Sequence, residues 1–375
     1  MAGIYIHIPF CKKACHYCDF HFSTQLKKKD SLLHALHQEM ELRRDTFGKT
    51  PLETLYFGGG TPSILSPEEI AGLIETAGKH FTFSDNPEIT LEVNPDDVSP
   101  EKVQAWASGS VNRLSLGIQS FYDEDLKFMN RAHTAREAKR SLEMVRREFE
   151  NVTIDLIYGF PQLSLDKWLS NLETALSFEI PHISAYALTV EPRTALHSFI
   201  KKGKVPGLDE QLTEAHFELL TAKLEEAGFV HYEISNFGKP GYFSRNNTAY
   251  WTGLPYLGIG PSAHSFTGSA RSWNVANNTK YIKAITDKKL PMTLEELSDK
   301  DRYNEYIMTG LRTIWGVSIS KIASLFGESY RQYFLTKVSP FLESQKLSLA
   351  GDIVTASQSG KFLVDGIAAD LFMVD

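Results

Sequence analysis

Apolar and polar positions alternate in blocks over the first 230 residues, where short apolar runs are separated by longer stretches with helical periodicity. Most runs are nearly continuously apolar, which is typical of strands covered on both faces. The predicted strands span residues 3–8, 54–57, 88–93, 113–118, 152–157 and 183–188. The predicted helices span residues 24–46, 66–79, 99–108, 134–148, 164–178 and 209–227.

Helix-start signals support this division. Ser66 is a predicted N-cap, Pro67 takes the first helical position and Glu69 the third, which together make a capping box. Strand-then-helix units repeated in this way argue for parallel strands joined by right-handed crossovers. Because these units are too few for an eight-fold barrel, the predicted α/β fold is either a partial barrel or a doubly wound sheet.

The pattern changes after residue 230. Residues 231–300 are rich in aromatic residues, Gly and Asn and carry few helical signals, so we expect a connecting segment after a first domain of residues 1–230. Residues 301–375 predict a C-terminal α+β domain, because helices near 298–313, 318–326 and 329–346 precede a β-like pair at 347–356 and 361–366. Helices followed by a small hairpin fit a winged-helix-like module, for which we expect a packing or partner role.

Composition narrows the class of protein. The 375 residues are 42% hydrophobic and 23% charged, as in ordinary globular proteins. The net charge of −7 predicts no basic surface for nucleic acid. No apolar run is long enough to cross a bilayer, and residues 1–9 lack the basic region of a signal peptide. We therefore expect a cytoplasmic protein, whose thiols stay reduced.

The three cysteines of the chain, Cys11, Cys15 and Cys18, lie within eight residues in the spacing Cys-x3-Cys-x2-Cys. A disulfide framework is disfavoured by the odd number. A zinc site would need a histidine as fourth ligand, from position 7, 16 or 21. Three thiolates suit a [4Fe–4S] cluster that keeps one iron without a protein ligand, and we favour this interpretation.

Polar or glycine residues follow the ends of the predicted strands. Residues 58–61 read Gly-Gly-Gly-Thr, Glu92 ends the third strand, and Gln119 ends the fourth. Asp155 lies on the fifth strand, and Arg131 follows the fourth within Asn-Arg-Ala-His. Because the carboxyl ends of parallel strands meet at one edge of the sheet, we expect these residues to outline one polar pocket.

The cysteine spacing, the aromatic Tyr17 and the Gly-Gly-Gly-Thr-Pro run at 58–62 resemble the radical S-adenosylmethionine (SAM) superfamily. The opening at residues 4–11, Ile-Tyr-Ile-His-Ile-Pro-Phe-Cys, narrows the resemblance to the oxygen-independent coproporphyrinogen oxidase group. The resemblance covers residues 3–370. It implies a (βα)6 partial barrel with a C-terminal domain.

The resemblance also implies roles for individual residues. Cys11, Cys15 and Cys18 would hold the cluster, and SAM would chelate its fourth iron. The positions matched to contacts with this SAM are Tyr5, Tyr17, Gly59, Gly60, Thr61 and Glu92. The positions matched to a second SAM in the oxidase are Gln119, Arg131 and Asp155.

Two features separate this chain from the oxidase and resemble the haem chaperone branch of the group, the HemW proteins. The oxidase has a further cysteine where this chain has Phe20, and it carries an N-terminal extension before the first strand. Members of the chaperone branch bind haem, a cluster and SAM, and they deliver haem to acceptor proteins. The resemblance therefore implies haem or a related tetrapyrrole as ligand and a haem-acceptor protein as partner, membrane haem proteins included.

One position departs from the pattern of the branch. A His-Asn-x-x-Tyr-Trp sequence is associated with haem there, whereas this chain has Asn246, Asn247, Tyr250 and Trp251. An amide is not among the usual axial ligands of haem iron. Either His264, His231 or Tyr250 holds haem instead, or this member binds haem weakly or not at all.

Three hypotheses follow from the sequence. The first is a haem chaperone that uses a [4Fe–4S] cluster and SAM. The second is a radical SAM enzyme acting on a tetrapyrrole, for which we consider coproporphyrinogen oxidation the less favoured activity. The third is a zinc-stabilised binding protein, against which the predicted pocket residues argue.

Overall fold

A computed structural model describes residues 2–374 and arranges them in fifteen strands and fifteen α-helices. The strands are β1 (Ala2–Ile8), β2 (Leu52–Gly59), β3 (Phe83–Val93), β4 (Arg113–Gln119), β5 (Val152–Tyr158), β6 (His182–Ala187), β7 (Val230–Glu233), β8 (Asn236–Gly238), β9 (Tyr256–Ile259), β10 (His264–Phe266), β11 (Ala270–Asn274), β12 (Met292–Glu296), β13 (Val317–Ser318), β14 (Leu347–Ala350) and β15 (Ile353–Ala356).

The helices are α1 (Lys29–Leu42), α2 (Pro67–His80), α3 (Pro100–Ser108), α4 (Asp123–Phe128), α5 (Ala135–Glu148), α6 (Leu165–Ser177), α7 (Ala195–Lys201), α8 (Glu210–Glu226), α9 (Arg245–Trp251), α10 (Asn278–Thr286), α11 (Asp299–Leu311), α12 (Ile319–Phe326), α13 (Glu328–Glu343), α14 (Gln358–Lys361) and α15 (Val364–Asp370). The capping box predicted at the start of α2 is present, since the Ser66 hydroxyl accepts from the Glu69 N–H. In the described part of the chain, every helix is too short or too polar to cross a bilayer.

Strands β1 to β6 are parallel and follow one another in chain order, which confirms the six predicted strands. A doubly wound sheet would reverse its strand order at a switch point. Because no reversal occurs between β1 and β6, the partial barrel is the correct alternative.

The two faces of these six strands differ. Side chains alternate along a strand, and one face, with Ile4, Ile6 and Ile8 on β1, is apolar and belongs to the main hydrophobic core. The other face carries polar side chains such as Glu92 and Asp155 and lines the interior of the barrel. The prediction that these strands are apolar on both faces is therefore wrong for the face that lines the barrel interior.

Residues 231–300 are more regular than their sequence indicates. Strands β7 and β8 extend the sheet beyond β6, and β9 pairs in parallel with β1 at the other side, followed by β10, β11 and β12. Helix α9 contacts β1 and β2. Leu257, Ile259, Tyr281 and Ile285 join the main core.

Residues 303–371 build a second hydrophobic cluster. Its elements run α11, β13, α12, α13, β14, β15, with β15 paired between β13 and β14, which is the element order of winged-helix modules. The predicted pairing of 347–356 with 361–366 is wrong. Residues 347–356 form a hairpin by themselves, because Gly351 adopts a φ of 61° at the turn, whereas Val364, Ile367 and Ala368 are buried at helical spacing.

Candidate functional site

The cysteine loop follows β1 and is tied to the segment after β4. The His16 N–H donates to the Met129 carbonyl (3.1 Å), and the His16 ring Nδ1 contacts the Phe128 carbonyl (2.7 Å). The Asn130 side chain donates to the Ala14 carbonyl (2.8 Å). The loop is thus held across the mouth of the barrel, at the carboxyl ends of the parallel strands.

The three thiols are free, half-buried and close to polar side chains. The Thr61 hydroxyl hydrogen-bonds Cys11, and Arg131 Nη1 lies 3.4 Å from Cys15 Sγ. Burial, together with the neighbouring Cys15 and Cys11, raises the pKa of Cys18 to about 12. The Cys18 thiol therefore stays protonated until a metal displaces its proton.

The three histidines considered for zinc each contact a neighbouring group through a ring nitrogen, as metal-binding histidines also do. The His7 ring Nε2 contacts the His21 carbonyl (2.9 Å), His16 is held by Phe128, and the His21 ring contacts the Asn278 amide (2.7 Å). Among residues 2–374, no three His, Cys, Asp or Glu side chains converge as ligands of one metal ion. The three cysteines lie on one loop, and each could bind a different iron of a cubane cluster.

The glycine run at the end of β2 makes room mainly for the chain itself. A Cβ on Gly60 would lie 2.6 Å from the Phe10 carbonyl oxygen, and Gly59, with φ of 105°, packs on the His7 ring. Gly58 is different, because its Cβ would lie 2.9 Å from Glu92 Oε1 inside the barrel. The sequence pointed to Gly59 and Gly60, but Gly58 opens space beside a carboxylate.

Glu92 lies in the interior of the barrel near the carboxyl end of β3. It accepts from the Tyr56 hydroxyl (2.8 Å) and from the Gly59 N–H (3.2 Å). Burial, together with the nearby Asp155, raises the pKa of Glu92 to about 7. The Tyr5 ring stacks on Tyr56, with their centroids 5.9 Å apart. A cation placed here would meet a carboxylate that lacks a charged partner.

Asp155 on β5 faces the same space. Its carboxylate lies 3.5 Å from the Ser115 hydroxyl and bonds Ser184, and burial raises its pKa to about 6. A cavity of about 50 Å³ separates it from Glu92. The cavity is lined by Tyr56, Glu92, Arg113, Ser115, Thr153, Asp155, Ser184, Tyr186, Ser244 and Asn247.

Sequence reasoning missed several of these lining residues. Tyr56, Ser115, Ser184 and Tyr186 occupy alternate positions within predicted strands, where they look like ordinary strand residues. The period-two placement of polar residues on neighbouring strands is the signal that could have found them, because such residues share one face of the sheet.

Arg131 connects the cysteine loop to the strand ends. Its Nη2 donates to the Asn94 side chain (2.8 Å) and to the Gly117 carbonyl (2.9 Å), while Nη1 approaches Cys15. Its Nε is buried and has no hydrogen-bond partner among the described residues. Gln119, also buried, adopts a φ of 64° close to Gly117. The unpaired Nε–H is a donor available to a ligand.

The site therefore offers three thiols, two carboxyl groups and an unpaired guanidinium donor within one end of the barrel. Tyr17 adds a hydroxyl that hydrogen-bonds Cys15. Thiolates bind the irons of a cluster. Carboxylates match the ammonium and sulfonium charges of SAM, and the guanidinium matches its carboxylate. The residues present fit both groups. Phe20 is 68% exposed.

The four residues predicted for haem do not form one accessible site. Asn246 is 4% exposed, its Oδ1 accepts from the Thr54 hydroxyl (3.3 Å), and its N–H donates to Glu88 (3.1 Å). Asn247 lines the small cavity beside Glu92, whereas Trp251 packs under the Arg312 guanidinium at 5.0 Å.

The alternative haem ligands differ in accessibility. Tyr250 is half-buried and meets the Tyr256 ring edge-on at 4.5 Å between centroids. His231 is buried, stacks on Phe237 at 4.1 Å and contacts the Ile234 carbonyl through Nε2. His264 alone of the three is exposed.

Comparisons with known proteins agree with this geometry. The profile of the Radical SAM superfamily matches residues 5–175, and that of the HemN C-terminal domain matches residues 297–363. The heme chaperone HemW of Bacillus subtilis (strain 168) is 35% identical over 367 residues, which cover 97% of each chain. HemW of Mycobacterium tuberculosis (strain H37Rv) is 32% identical over 375 residues, 98% of this chain and 94% of the relative.

A solved structure gives the same fold. Coproporphyrinogen III oxidase (HemN) from Escherichia coli, described as a radical SAM enzyme, superposes with a TM-score of 0.86 at 23% sequence identity. The match covers 99% of this chain and 90% of the oxidase chain. The partial barrel and the C-terminal domain are therefore those of that structure.

Proposed function

The chain belongs to the family of the heme chaperone HemW within the radical SAM superfamily, and we propose that it binds a [4Fe–4S] cluster, SAM and haem and passes haem to an acceptor protein. The observation that carries the proposal is the combination of near full-length similarity to haem chaperones with an intact cysteine loop above a polar barrel interior. We place this activity in the cytoplasm, with soluble or membrane haem proteins as acceptors.

Cys11, Cys15 and Cys18 would hold three irons of the cluster. When bound, the cluster supplies an open iron for chelation and a source of one electron. The chain contributes a loop held by backbone contacts to the segment after β4 and hydroxyl or guanidinium groups beside the thiols. These groups donate to thiolate sulfur and so favour the deprotonated, metal-binding form.

SAM would lie between the cluster and the interior of the barrel. Glu92 would face its positive charges, while Asp155 and Arg131, the positions matched to a second SAM, would supply a carboxylate and an unpaired Nε–H at the same end of the barrel. A cation beside Glu92 favours the carboxylate form, so ligand binding would lower the raised pKa of this group. The Tyr5 and Tyr56 rings stack beside Glu92.

Haem would be held without an iron ligand from position 246. The Asn246 side chain is occupied by Thr54 and Tyr250, and the start of its helix is fixed by Glu88. Releasing the amide to bind iron would leave buried polar groups unpaired, which is costly.

The proposal is tested by anaerobic reconstitution with iron and sulfide, followed by haem titration of the full-length chain by absorbance. We expect one cluster per chain and stoichiometric haem binding, with transfer to an apo-haem protein from the same organism. A reconstituted chain that binds no haem would refute the chaperone function.

A radical SAM enzyme acting on a tetrapyrrole is the second candidate. It is favoured by the carboxyl pair Glu92 and Asp155 and by Arg131, which are the groups expected to position SAM. An anaerobic assay with reductant, SAM and coproporphyrinogen separates the two functions. Robust turnover would favour the enzyme, and haem transfer without turnover would favour the chaperone.

A further inference from the structure

A second cavity lies where the β7 edge of the sheet meets the C-terminal elements. Its volume is about 250 Å³, and none of its lining residues is shared with the small cavity beside Glu92. The lining residues are His231, Glu233, Ile234, Leu311, Arg312, Thr313, Ile314, Thr355, Ala356, Gln358 and Lys361.

Lys361 has hydrogen-bonding capacity to spare in this cavity, and Arg312 in the cavity wall has an unpaired but enclosed Nε–H. Lys361 Nζ donates to the His231 ring Nδ1 (3.1 Å), which is a neutral partner, and Glu225 acts on it only through space. An ammonium has three N–H donors, so two stay available. The Arg312 Nε is buried and has no hydrogen-bond partner within residues 2–374.

The carboxylates near the cavity already accept hydrogen bonds from other groups. Glu233 accepts from the Ser235 N–H (3.1 Å), from the Asn236 amide and from Arg312 Nη2 (3.3 Å). Asp365 accepts both its bonds from Arg312 Nη1 (2.6 and 2.7 Å). A ligand that satisfies Lys361 must therefore bring negatively charged oxygens of its own, as a carboxylate does.

The edge of the cavity is apolar. Ile314 lines it and is 43% exposed, and Trp315, the next residue in the chain, is 38% exposed. The Trp251 ring packs on the Arg312 guanidinium and so joins the segment predicted for haem to the cavity wall. Small-molecule pockets usually enclose about 300–1,000 Å³, so this cavity holds only part of a large ligand.

We infer that this cavity seats one propionate carboxylate of the tetrapyrrole cargo on Lys361, while the macrocycle rests on the exposed Ile314 and its neighbour Trp315. The inference rests on the proposed haem-carrier function and assigns the part of the chain that recognises the cargo. Such a seat leaves much of the macrocycle exposed, which suits a ligand that has to be handed on.

The test compares haem with haem dimethyl ester, in which both propionates are neutral, by absorbance titration of the full-length reconstituted chain. We expect Lys361→Gln to weaken haem binding about tenfold and to leave binding of the ester unchanged, because the ester cannot pair with the ammonium. Lys361→Arg, which keeps the charge, should restore the affinity. Lys337→Gln, on the exposed face of α13, is the control and should match the wild type.

Gln358→Glu gives an independent check, since it adds a negative charge at an exposed position of the same cavity. It should weaken binding of haem but not of the ester. Haem affinity that is unchanged in Lys361→Gln, or an equal loss for haem and ester, would overturn the inference while leaving the haem-carrier function intact. A wild-type chain that binds no haem would overturn both.

Discussion

The two halves of the barrel interior contain the same kinds of buried polar side chain but pair them differently. In the lower half, Glu88 accepts two backbone N–H groups at the start of α9 (3.1 Å each), and His182 meets the Tyr232 hydroxyl (2.7 Å). In the upper half, Glu92 and Asp155 face a cavity, and burial raises the pKa of both carboxyl groups. The difference between the halves is therefore that Glu92 and Asp155 border a cavity, whereas Glu88 is enclosed by the start of α9.

In the lower half, residues 242–251 supply hydrogen-bond partners to the buried polar side chains. This segment runs through the interior beneath the cavity. Arg113, 1% exposed, donates to the Asn151 side chain, the Tyr242 carbonyl and the Thr153 hydroxyl. These bonds give the lower half a structural role, and Arg113 and Thr153 also form part of the wall of the cavity above it. The upper half keeps its groups available for cofactors, at a cost in the stability of the cofactor-free chain.

Removing a cluster ligand at the mouth of the upper half should have the largest effect. In Cys15→Ala we expect complete loss of cluster absorbance after reconstitution, because two thiolates cannot hold the cubane. The unfolding midpoint of the cofactor-free chain should change little, since Cys15 is only half-buried. A variant that still takes up a full cluster would contradict the assignment of this loop.

Breaking the lower half should instead unfold the protein. In Arg113→Ala we expect the free energy of unfolding to fall by about 3–5 kcal/mol, because buried acceptors lose their donor and a cavity remains. Denaturant unfolding measures this change. Arg140→Ala, on the exposed face of α5, is the matched control and should stay within about 0.5 kcal/mol of the wild type.

The raised pKa of Glu92 makes the stability of the upper half depend on pH. A carboxyl group with an ordinary pKa in the unfolded chain and about 7 when folded stabilises the protein below its unfolded pKa. This contribution is lost as the pH rises through 7. The free energy of unfolding should therefore fall by about 2–3 kcal/mol more between pH 4.5 and 7.5 in the cofactor-free wild type than in Glu92→Gln. Equal slopes for the two proteins would refute this.

A change at the boundary of the two halves should have the smallest effect. Asn246→Ala removes the bond from Thr54 and should cost about 1 kcal/mol of unfolding free energy. Haem affinity should stay at the wild-type value, because the buried amide is not a ligand in our proposal. A large loss of haem binding without loss of fold would restore position 246 to the haem site.

Much of the barrel could be predicted because the sequence signals for each strand and helix lie within that element. Apolar runs and the capping signals at Ser66 and Ser99 locate strands and helices without knowledge of their partners. The hairpin at 347–356 was missed because one glycine turn divides a single β-like run. The helix over 364–370 reads as a strand in its first residues, and only packing against the second core decides its form.

The residues of the candidate site that follow strand ends could be predicted from the sequence. The residues whose partners are distant in the sequence could not. Asn246 lies 192 residues from Thr54, so its burial inside the barrel could not be read from the chain. The same holds for the cavity beside Lys361, whose partner His231 is 130 residues away.

The most direct test of the comparison uses two glutamates on the same face of β3, four residues apart. Glu88→Gln and Glu92→Gln make the same chemical change, one in the lower half and one in the upper half. SAM affinity of the reconstituted chain is measured by calorimetry, and stability of the cofactor-free chain by denaturant unfolding at pH 8. At this pH the wild-type Glu92 is ionised and costs stability.

We predict that Glu88→Gln lowers the free energy of unfolding by about 1–2 kcal/mol, because a weaker acceptor caps α9, and that it binds SAM as the wild type does. Glu92→Gln should keep or raise the stability and lose about tenfold or more in SAM affinity. The opposite pattern, or equal effects of the two substitutions on stability and on SAM binding, would contradict the division of the barrel into a structural half and a cofactor-binding half.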